Sequence, residues 1–203
     1  VCSSDLLTEK LNGTNVVIFE RFGTAQVVID GEVLEFVHTR KEFYTPGSRK
    51  PETCFGTIEE DVFRRDFTIN SLLLNISTGE MLDLTGKGLF DIENGIIDTT
   101  SSPLGIFIED PLRMMRAIRF AAKLNFQIEY NTFKVIKLEA YSIQTISRER
   151  IQDELMKILT SKNTVKGLDL LIKTGLATYI LPELVSTVEL IQNKFHSKDV
   201  FGH

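Results

Sequence analysis

After Pro103 the hydrophobic pattern of the chain changes period, so one chain must house two kinds of packing. From Pro111 to Leu124 apolar residues recur at Leu112, Met115, Ile118, Ala122 and Leu124, the spacing of one helix face. Further helical patterns run through residues 129–140, 148–160, 163–173 and 182–192. Between Asn15 and Thr39 the apolar residues instead fall in short β-type runs, at 16–19, 25–29 and 33–37. Asp30-Gly31 separates the last two runs and predicts a hairpin, because a primed turn needs a positive φ that Gly accepts. The sequence therefore predicts an α+β fold, a mixed sheet with helices followed by an all-α part, with the boundary near Asn125. At 203 residues and 42% hydrophobic content, one core plus a smaller helical appendage can be buried.

Within the first part, Thr57-Ile58-Glu59-Glu60 has capping-box spacing. A helix should start there, carry Arg64, Arg65 and Asp66 toward its end, and continue through Phe67, Ile69, Leu72, Leu73 and Ile76. Short strands are expected at Met81–Leu84 and Ile96–Thr99, with Asp91 and Glu93 in a helical turn between them. The polar segment that follows Thr39, with Pro46-Gly47 and Arg49-Lys50-Pro51, is too rich in turn formers for regular structure and reads as a mobile loop.

Composition narrows the functional classes. A net charge of −5 excludes a surface basic all over, so any nucleic-acid contact must use a local patch. The two cysteines, Cys2 and Cys54, lack metal-ligand spacing and fit a reducing compartment. His38, His196 and His203 likewise have no partner at ligand spacing, so no metal site is expected within the chain. No apolar run reaches the length of a membrane span, and a cytoplasmic protein is expected. Residues 1–6, Val1-Cys2-Ser3-Ser4-Asp5-Leu6, match the translation of a sequencing-adapter tail and are expected to lie outside the fold. Phe201-Gly202-His203 reads as a cut end.

Two clusters carry chemistry. In Glu109-Asp110-Pro111-Leu112-Arg113-Met114-Met115-Arg116-Ala117-Ile118-Arg119-Phe120, Asp110 and Arg113 share a helix face, and Arg113, Arg116 and Arg119 form a drifting cationic stripe that needs anionic partners. The same residues fit a plainer structure, since Asp110 before Pro111 is a good helix cap and exposed arginines are commonly just solvated. Arg64-Arg65-Asp66-Phe67-Thr68-Ile69-Asn70 sets two cations, a carboxylate and an amide within two turns. Arginine there suits triphosphate oxygens, and Asp66 and Asn70 suit ribose hydroxyls; a surface salt-bridge cluster is the alternative.

Both clusters, in order with Leu82-Asp83-Leu84-Thr85-Gly86, Ile96-Ile97 and Ser147-Arg148-Glu149-Arg150-Ile151 with Glu154, resemble class II tRNA nucleotidyltransferases (CCA-adding enzymes) and bacterial poly(A) polymerases. The resemblance extends to Phe22-Gly23-Thr24-Ala25 and to the segment from Thr39 to Pro51, and so covers nearly the whole chain after residue 15. It implies a nucleotidyltransferase head over 7–125, a helical neck that binds RNA and nucleotide over 126–192, and the start of a further region over 193–203. By the same resemblance Arg65, Asp66 and Asn70 bind the nucleotide, Asp110 and Arg113 read the base, and Arg116 and Arg119 assist. Arg150 lies in the neck motif, and Asp83 in a segment the family uses as a hinge. Arg40, Lys41, Arg49 and Lys50, interleaved with Phe43 and Tyr44, suit phosphate contacts and base stacking.

The implied reaction adds C and A to the tRNA 3′ end from CTP and ATP. Cytosine and adenine both present an amino donor beside a ring-nitrogen acceptor; uracil and guanine reverse that order. A carboxylate accepts only and a guanidinium donates only, so Asp110 beside Arg113 matches C and A. The family holds Mg²⁺ on an Asp-x-Asp pair behind a glycine-rich loop, and neither Asp-x-Asp nor Gly-Gly occurs here. The 203 residues by themselves are therefore expected to bind CTP or ATP weakly without transfer. Glu35, alternating with Leu34 and Phe36, is a candidate additional carboxylate or else a solvent-facing strand residue. Poly(A) polymerase, an A-only or C-only enzyme, and a non-catalytic RNA-binding module remain open alternatives. Oligomeric state leaves no mark on the sequence.

Overall fold

The computed structural model describes residues 14–19, 24–43 and 52–188. The chain forms two compact units, residues 1–61 and 62–203. In the first, β1 (Thr14–Phe19), β2 (Thr24–Ile29) and β3 (Glu32–Val37) form an antiparallel sheet in that order. Asp30 and Gly31 both adopt positive φ, 52° and 83°, the primed turn expected of this dipeptide. It fixes a continuous register from Ile29 opposite Glu32 to Thr24 opposite Val37. Ala25 and Val27 of β2 are buried, whereas Glu35 of β3 is exposed, opposite Gln26.

Arg40 and Lys41, assigned to a loop by the turn formers around them, instead open β4 (Arg40–Phe43), which pairs antiparallel with β5 (Glu52–Phe55). Pairing with a segment that begins beyond the turn formers, from Phe43 opposite Glu52 to Arg40 opposite Phe55, satisfies main-chain groups, and local turn chemistry carries no trace of it. Pro46, Gly47, Arg49, Lys50 and Pro51 lie outside the described residues.

Helix α1 (Ile58–Phe63) starts on the expected capping box: the Glu60 amide donates to Thr57 Oγ1 at 3.2 Å, and the Thr57 amide donates to Glu60 Oε2 at 3.0 Å. The expected continuation through Arg64, Arg65 and Asp66 to Ile76 does not occur. The Thr100 hydroxyl donates to the Arg65 carbonyl at 2.6 Å and lies 3.1 Å from that of Phe63. Phe67 is extended, φ −130° and ψ 149°, fully buried, and bridged to Thr99. Capture of these carbonyls by a residue far downstream, together with burial of Phe67, replaces the helix with one 3₁₀ turn at Thr68–Asn70. β6 (Leu73–Leu74) then pairs with β7 (Met81–Leu82).

In the second unit α2 (Gly88–Asn94) precedes β8 (Ile96–Ile97), which pairs in parallel with β9 (Gln127–Ile128), a short strand inside the part read as wholly helical. The helices that follow β8 are α3 (Pro103–Glu109), α4 (Leu112–Leu124), α5 (Tyr130–Glu139), α6 (Arg148–Leu159), α7 (Thr164–Lys173), α8 (Leu176–Ile180) and α9 (Pro182–Val185). α4, α5, α6 and α7 fall within a residue or two of the periodic stretches; α3 and α8 are too short to show a period. Of the pattern expected over 182–192, Pro182–Val185 is helical and residues 186–188 are not, while residues beyond 188 lie outside the described ones.

α4 is the axis of this core. Leu112, Met114, Met115, Ala117, Ile118, Ala121 and Ala122 are all buried, and the helix ends at Asn125, whose φ of 60° suits a residue tolerant of the left-handed region. Small side chains let its neighbours approach closely. A Cβ on Gly167 of α7 would lie 2.5 Å from Ile158 Cγ2 and 3.3 Å from Ala122 Cβ, so only glycine fits there without displacement. The arginines of α4 are thereby mounted on a helix whose other residues are anchored in the core.

Candidate functional site

Residues three apart on an α-helix sit about 60° back around the axis, so Arg113, Arg116 and Arg119 of α4 face three different neighbours. Each meets a carboxylate. Arg113 Nη1 donates to Glu109 Oε2 at 2.9 Å. Arg116 places Nε and Nη2 at 2.7 and 2.6 Å from Asp66 Oδ2. Arg119 Nε donates to Glu154 Oε2 of α6 at 2.6 Å, and its guanidinium carbon stands 4.1 Å from the Phe120 ring centroid. The anionic partners that the stripe requires are thus supplied within the chain, two of them from 50 and 35 residues away.

Asp110 and Arg113 start from one helix turn but reach in different directions. Asp110 Oδ1 accepts the Leu112 amide at 3.1 Å, which caps α4 as a solvated aspartate would, while Oδ2 accepts Arg150 Nη2 of α6 at 2.8 Å. Arg113 turns back, with Nη1 also 3.4 Å from the Ile106 carbonyl and Nη2 donating to the Arg64 carbonyl at 3.1 Å. Arg150 therefore joins the cluster, and it does so as the partner of Asp110.

Asp66 is buried, with its oxygens fully engaged: Oδ1 accepts the Phe67 amide at 2.9 Å and Asn70 Nδ2 at 3.1 Å, and Oδ2 holds Arg116. Arg65 Nη1 donates to the Asn70 carbonyl at 2.9 Å. Arg65, Asp66, Asn70 and Arg116 thus form one hydrogen-bonded patch joining the two arginine motifs. Chemically it offers guanidinium donors to phosphate and an organised carboxylate and amide to sugar hydroxyls. Of the basic loop candidates, Arg40 and Lys41 are on β4, and Arg49 and Lys50 lie outside the described residues.

Sequence reading missed Glu109 and Glu154 as partners, although a carboxylate four residues before an arginine is a usable signal for the first. It also missed a polar network around Asp98. Lys87 Nζ donates to Asp98 Oδ2 at 3.0 Å, Thr132 Oγ1 donates to Oδ1 at 3.0 Å, and the Thr99 amide donates to Oδ1 at 2.8 Å. This network borders an open cavity of about 280 Å³ that none of the arginines lines. The hydrogen bond and charge of Asp98 raise the Lys87 pKa. Asp83, in the segment compared to a hinge, is pushed up by burial but held below its ordinary value by the Thr85 hydroxyl and nearby amides.

Asp91 beside the network is buried, and Thr68 Oγ1 donates to its Oδ2 at 2.6 Å. Burial, and secondarily the Asp98 charge, raise its pKa above the usual aspartate value. The native state then binds the proton more tightly than the unfolded state, and this stability is lost as pH rises through the folded pKa. Asp91→Asn is expected to be more stable than the parent at neutral pH, with the difference shrinking toward acid. Urea unfolding at pH 4 and pH 7 checks this, and an equal difference at both would show that Asp91 carries no excess proton affinity.

Residues 3–98 match the poly A polymerase head domain, and residues 125–187 match the probable RNA and SrmB-binding site of polymerase A. The chain is 43% identical over 157 residues to a mitochondrial CCA tRNA nucleotidyltransferase of Candida glabrata, a match covering 75% of this chain and 29% of that protein. It is 36% identical over 185 residues to a CCA-adding enzyme of Ligilactobacillus salivarius, covering 87% and 45%. Among solved structures, the Bacillus stearothermophilus CCA-adding enzyme in complex with CTP aligns at a TM-score of 0.76 and 31% identity, covering 87% of this chain and 43% of the other. The chain spans less than half the length of these relatives.

Proposed function

The chain belongs to the family that unites class II CCA-adding tRNA nucleotidyltransferases with bacterial poly(A) polymerases, and from that premise we propose that it is the nucleotide-selecting part of an enzyme that adds C and A to the 3′ end of tRNA from CTP and ATP. The observation that carries the reading is the Asp66–Arg116 pair, which locks the Arg-Arg-Asp motif to the motif beginning Glu109-Asp110. In this reading residues 7–125 are the nucleotidyltransferase head, 126–192 the neck, and 193–203 the start of a further region. Arg65 meets the triphosphate, with Asp66 and Asn70 at the ribose. Asp110 and Arg113 read the base. Arg40, Lys41, Arg49, Lys50 and Arg150 follow the RNA, and Glu35 remains a candidate carboxylate of the head.

Mg²⁺ in such an enzyme stabilises charge on the attacking and leaving oxygens. Among the described residues no group of three His, Cys, Asp or Glu side chains stands ready to hold a metal. No helix among the described residues is long and apolar enough to cross a membrane. We place the protein in the cytoplasm, with the mitochondrial yeast relatives marking the alternative compartment.

The test is incorporation of labelled CTP and ATP into tRNA lacking its terminal nucleotides, with the complete protein that carries this chain. Ordered addition of C, C and A is expected. A tract of A alone would mean poly(A) synthesis, a single nucleotide type a partial enzyme, and RNA retention without incorporation a binding module. In the same assay Arg65→Ala should raise KM for CTP and ATP alike, roughly tenfold or more, because a phosphate contact carries no base information. An effect confined to one nucleotide would remove Arg65 from the triphosphate.

A further inference from the structure

The patch of Arg65, Asp66 and Asn70 closes on a single 3₁₀ turn, Thr68–Asn70. So short a turn makes few hydrogen bonds of its own and takes its place from what packs behind it. Here that is α2. A Cβ on Gly88 would stand 2.8 Å from the Thr68 carbonyl oxygen, so the first turn of α2 meets the 3₁₀ turn backbone to backbone. One helical turn further on, Thr68 Oγ1 donates to Asp91 Oδ2 at 2.6 Å. The Thr68 amide donates to the Asp98 carbonyl at 3.0 Å, and Ser71 Oγ donates to the Thr68 carbonyl at 2.6 Å. Thr68 is fully buried with its amide, carbonyl and hydroxyl all engaged.

Asp91 is buried too, and among the described residues Thr68 is its one hydrogen-bond partner. Asp98, Lys87 and Asp83 are the charged groups around it, and Lys87 is spent on Asp98. A carboxyl buried on one hydrogen bond stabilises the fold less than an apolar residue would, so its effect lies in where it places Thr68. From Thr68 that placement passes along the turn to Asn70. There Nδ2 donates to Asp66 Oδ1 at 3.1 Å and the carbonyl accepts Arg65 Nη1 at 2.9 Å. We propose that Asp91 is a positioning residue for nucleotide binding: by holding the Thr68 hydroxyl it sets the turn from which Asn70 orders Asp66 and Arg65. The inference rests on the reading of that patch as the triphosphate and ribose site given above. Phosphate and sugar contacts carry no base information, so the effect falls on CTP and ATP alike.

The experiment measures kcat and KM for both nucleotides, and Tm, in the complete protein and its Asp91→Ala, Asp91→Asn, Thr68→Val, Asp91→Ala with Thr68→Val, and Arg65→Ala variants. Asp91→Ala and Thr68→Val should each raise both KM values roughly three- to tenfold, the scale of one hydrogen bond, and leave kcat within about twofold. The double variant should be no worse than either single one, because both remove the same bond. Asp91→Asn should keep KM near the parent's, since its amide still bonds the Thr68 hydroxyl. If Asp91→Ala lowers Tm but not nucleotide affinity while Arg65→Ala raises KM, Asp91 is a structural residue only and the reading of the patch stands. If Arg65→Ala is silent as well, the patch is not the triphosphate site and the proposal falls with it. Effects of Asp91→Ala and Thr68→Val that add in full would show that Asp91 does not act through Thr68. Should Asp91→Ala fail to fold, Thr68→Val deletes the same bond from the other side, and an unchanged KM there overturns the proposal.

Discussion

Glu154→Ala should cost about 3–5 kcal/mol of folding stability, the range for removing one partner of a buried ion pair. Glu154 of α6 has only 5% of its side chain exposed and Arg119 of α4 only 13%, so neither is compensated by water when the other is lost. Lys157 Nζ also reaches Glu154 at 3.0 Å, but its own side chain is 57% exposed, so it can retreat to solvent without penalty. The stranded group in Glu154→Ala is thus Arg119, wedged against Phe120 in the interior face of the helix. Arg119→Ala should cost somewhat less, because Lys157 still serves Glu154. The paired change Arg119→Met with Glu154→Leu should recover most of the loss, since well-packed apolar residues replace buried ion pairs at little cost. Urea unfolding at neutral pH measures all three. A loss below about 1 kcal/mol for Glu154→Ala would show the pair to be no stronger than a solvated surface bridge. One consequence bears on function: Arg119 already holds α4 to α6, so a fall in nucleotide binding on its removal must be separated from a fall in folded protein.

Local chemistry was legible where the partners are close in sequence. Asp30-Gly31 specifies its turn through backbone sterics alone, and Thr57 with Glu60 caps α1 through two bonds spanning three residues. The period of α4 was readable because its buried face repeats over more than three turns. What failed was set from a distance. α1 stops at Phe63 because Thr100, 37 residues on, faces its last carbonyls. β4 exists through β5, whose four residues are too few to show a period. The candidate site divides in the same way. Its arginines could be named from their motifs, but Asp66 and Glu154 as their partners depend on tertiary packing, which places residues 50 and 35 positions apart in contact. Even Glu109, within one turn of Arg113, read as motif rather than as partner.

Asp110→Asn should keep the fold and lose the choice of base. Asp110 has two tasks on its two oxygens, the Leu112 amide on Oδ1 and Arg150 on Oδ2. Asparagine caps a helix about as well as aspartate, and the Arg150 pair, with the arginine side chain 53% exposed, contributes little to stability. A stability change of about 1 kcal/mol or less is therefore expected. The effect on selection is larger because the chemistry of the edge is reversed. On the proposed reading the carboxylate accepts the amino hydrogen of cytosine or adenine; the asparagine amide could instead donate to uracil O4, so a base once rejected would become a partner. Arg113→Ala removes the matching donors from the other side. In each variant discrimination should fall by roughly 1–3 kcal/mol, about 5- to 150-fold, the scale of a good bidentate base contact. The complete protein assayed with each of the four nucleotides decides between the two tasks. Unchanged preference for C and A in both variants would leave Asp110 as a helix cap tied to α6 and Arg113 as the brace between α3 and the Arg64 carbonyl.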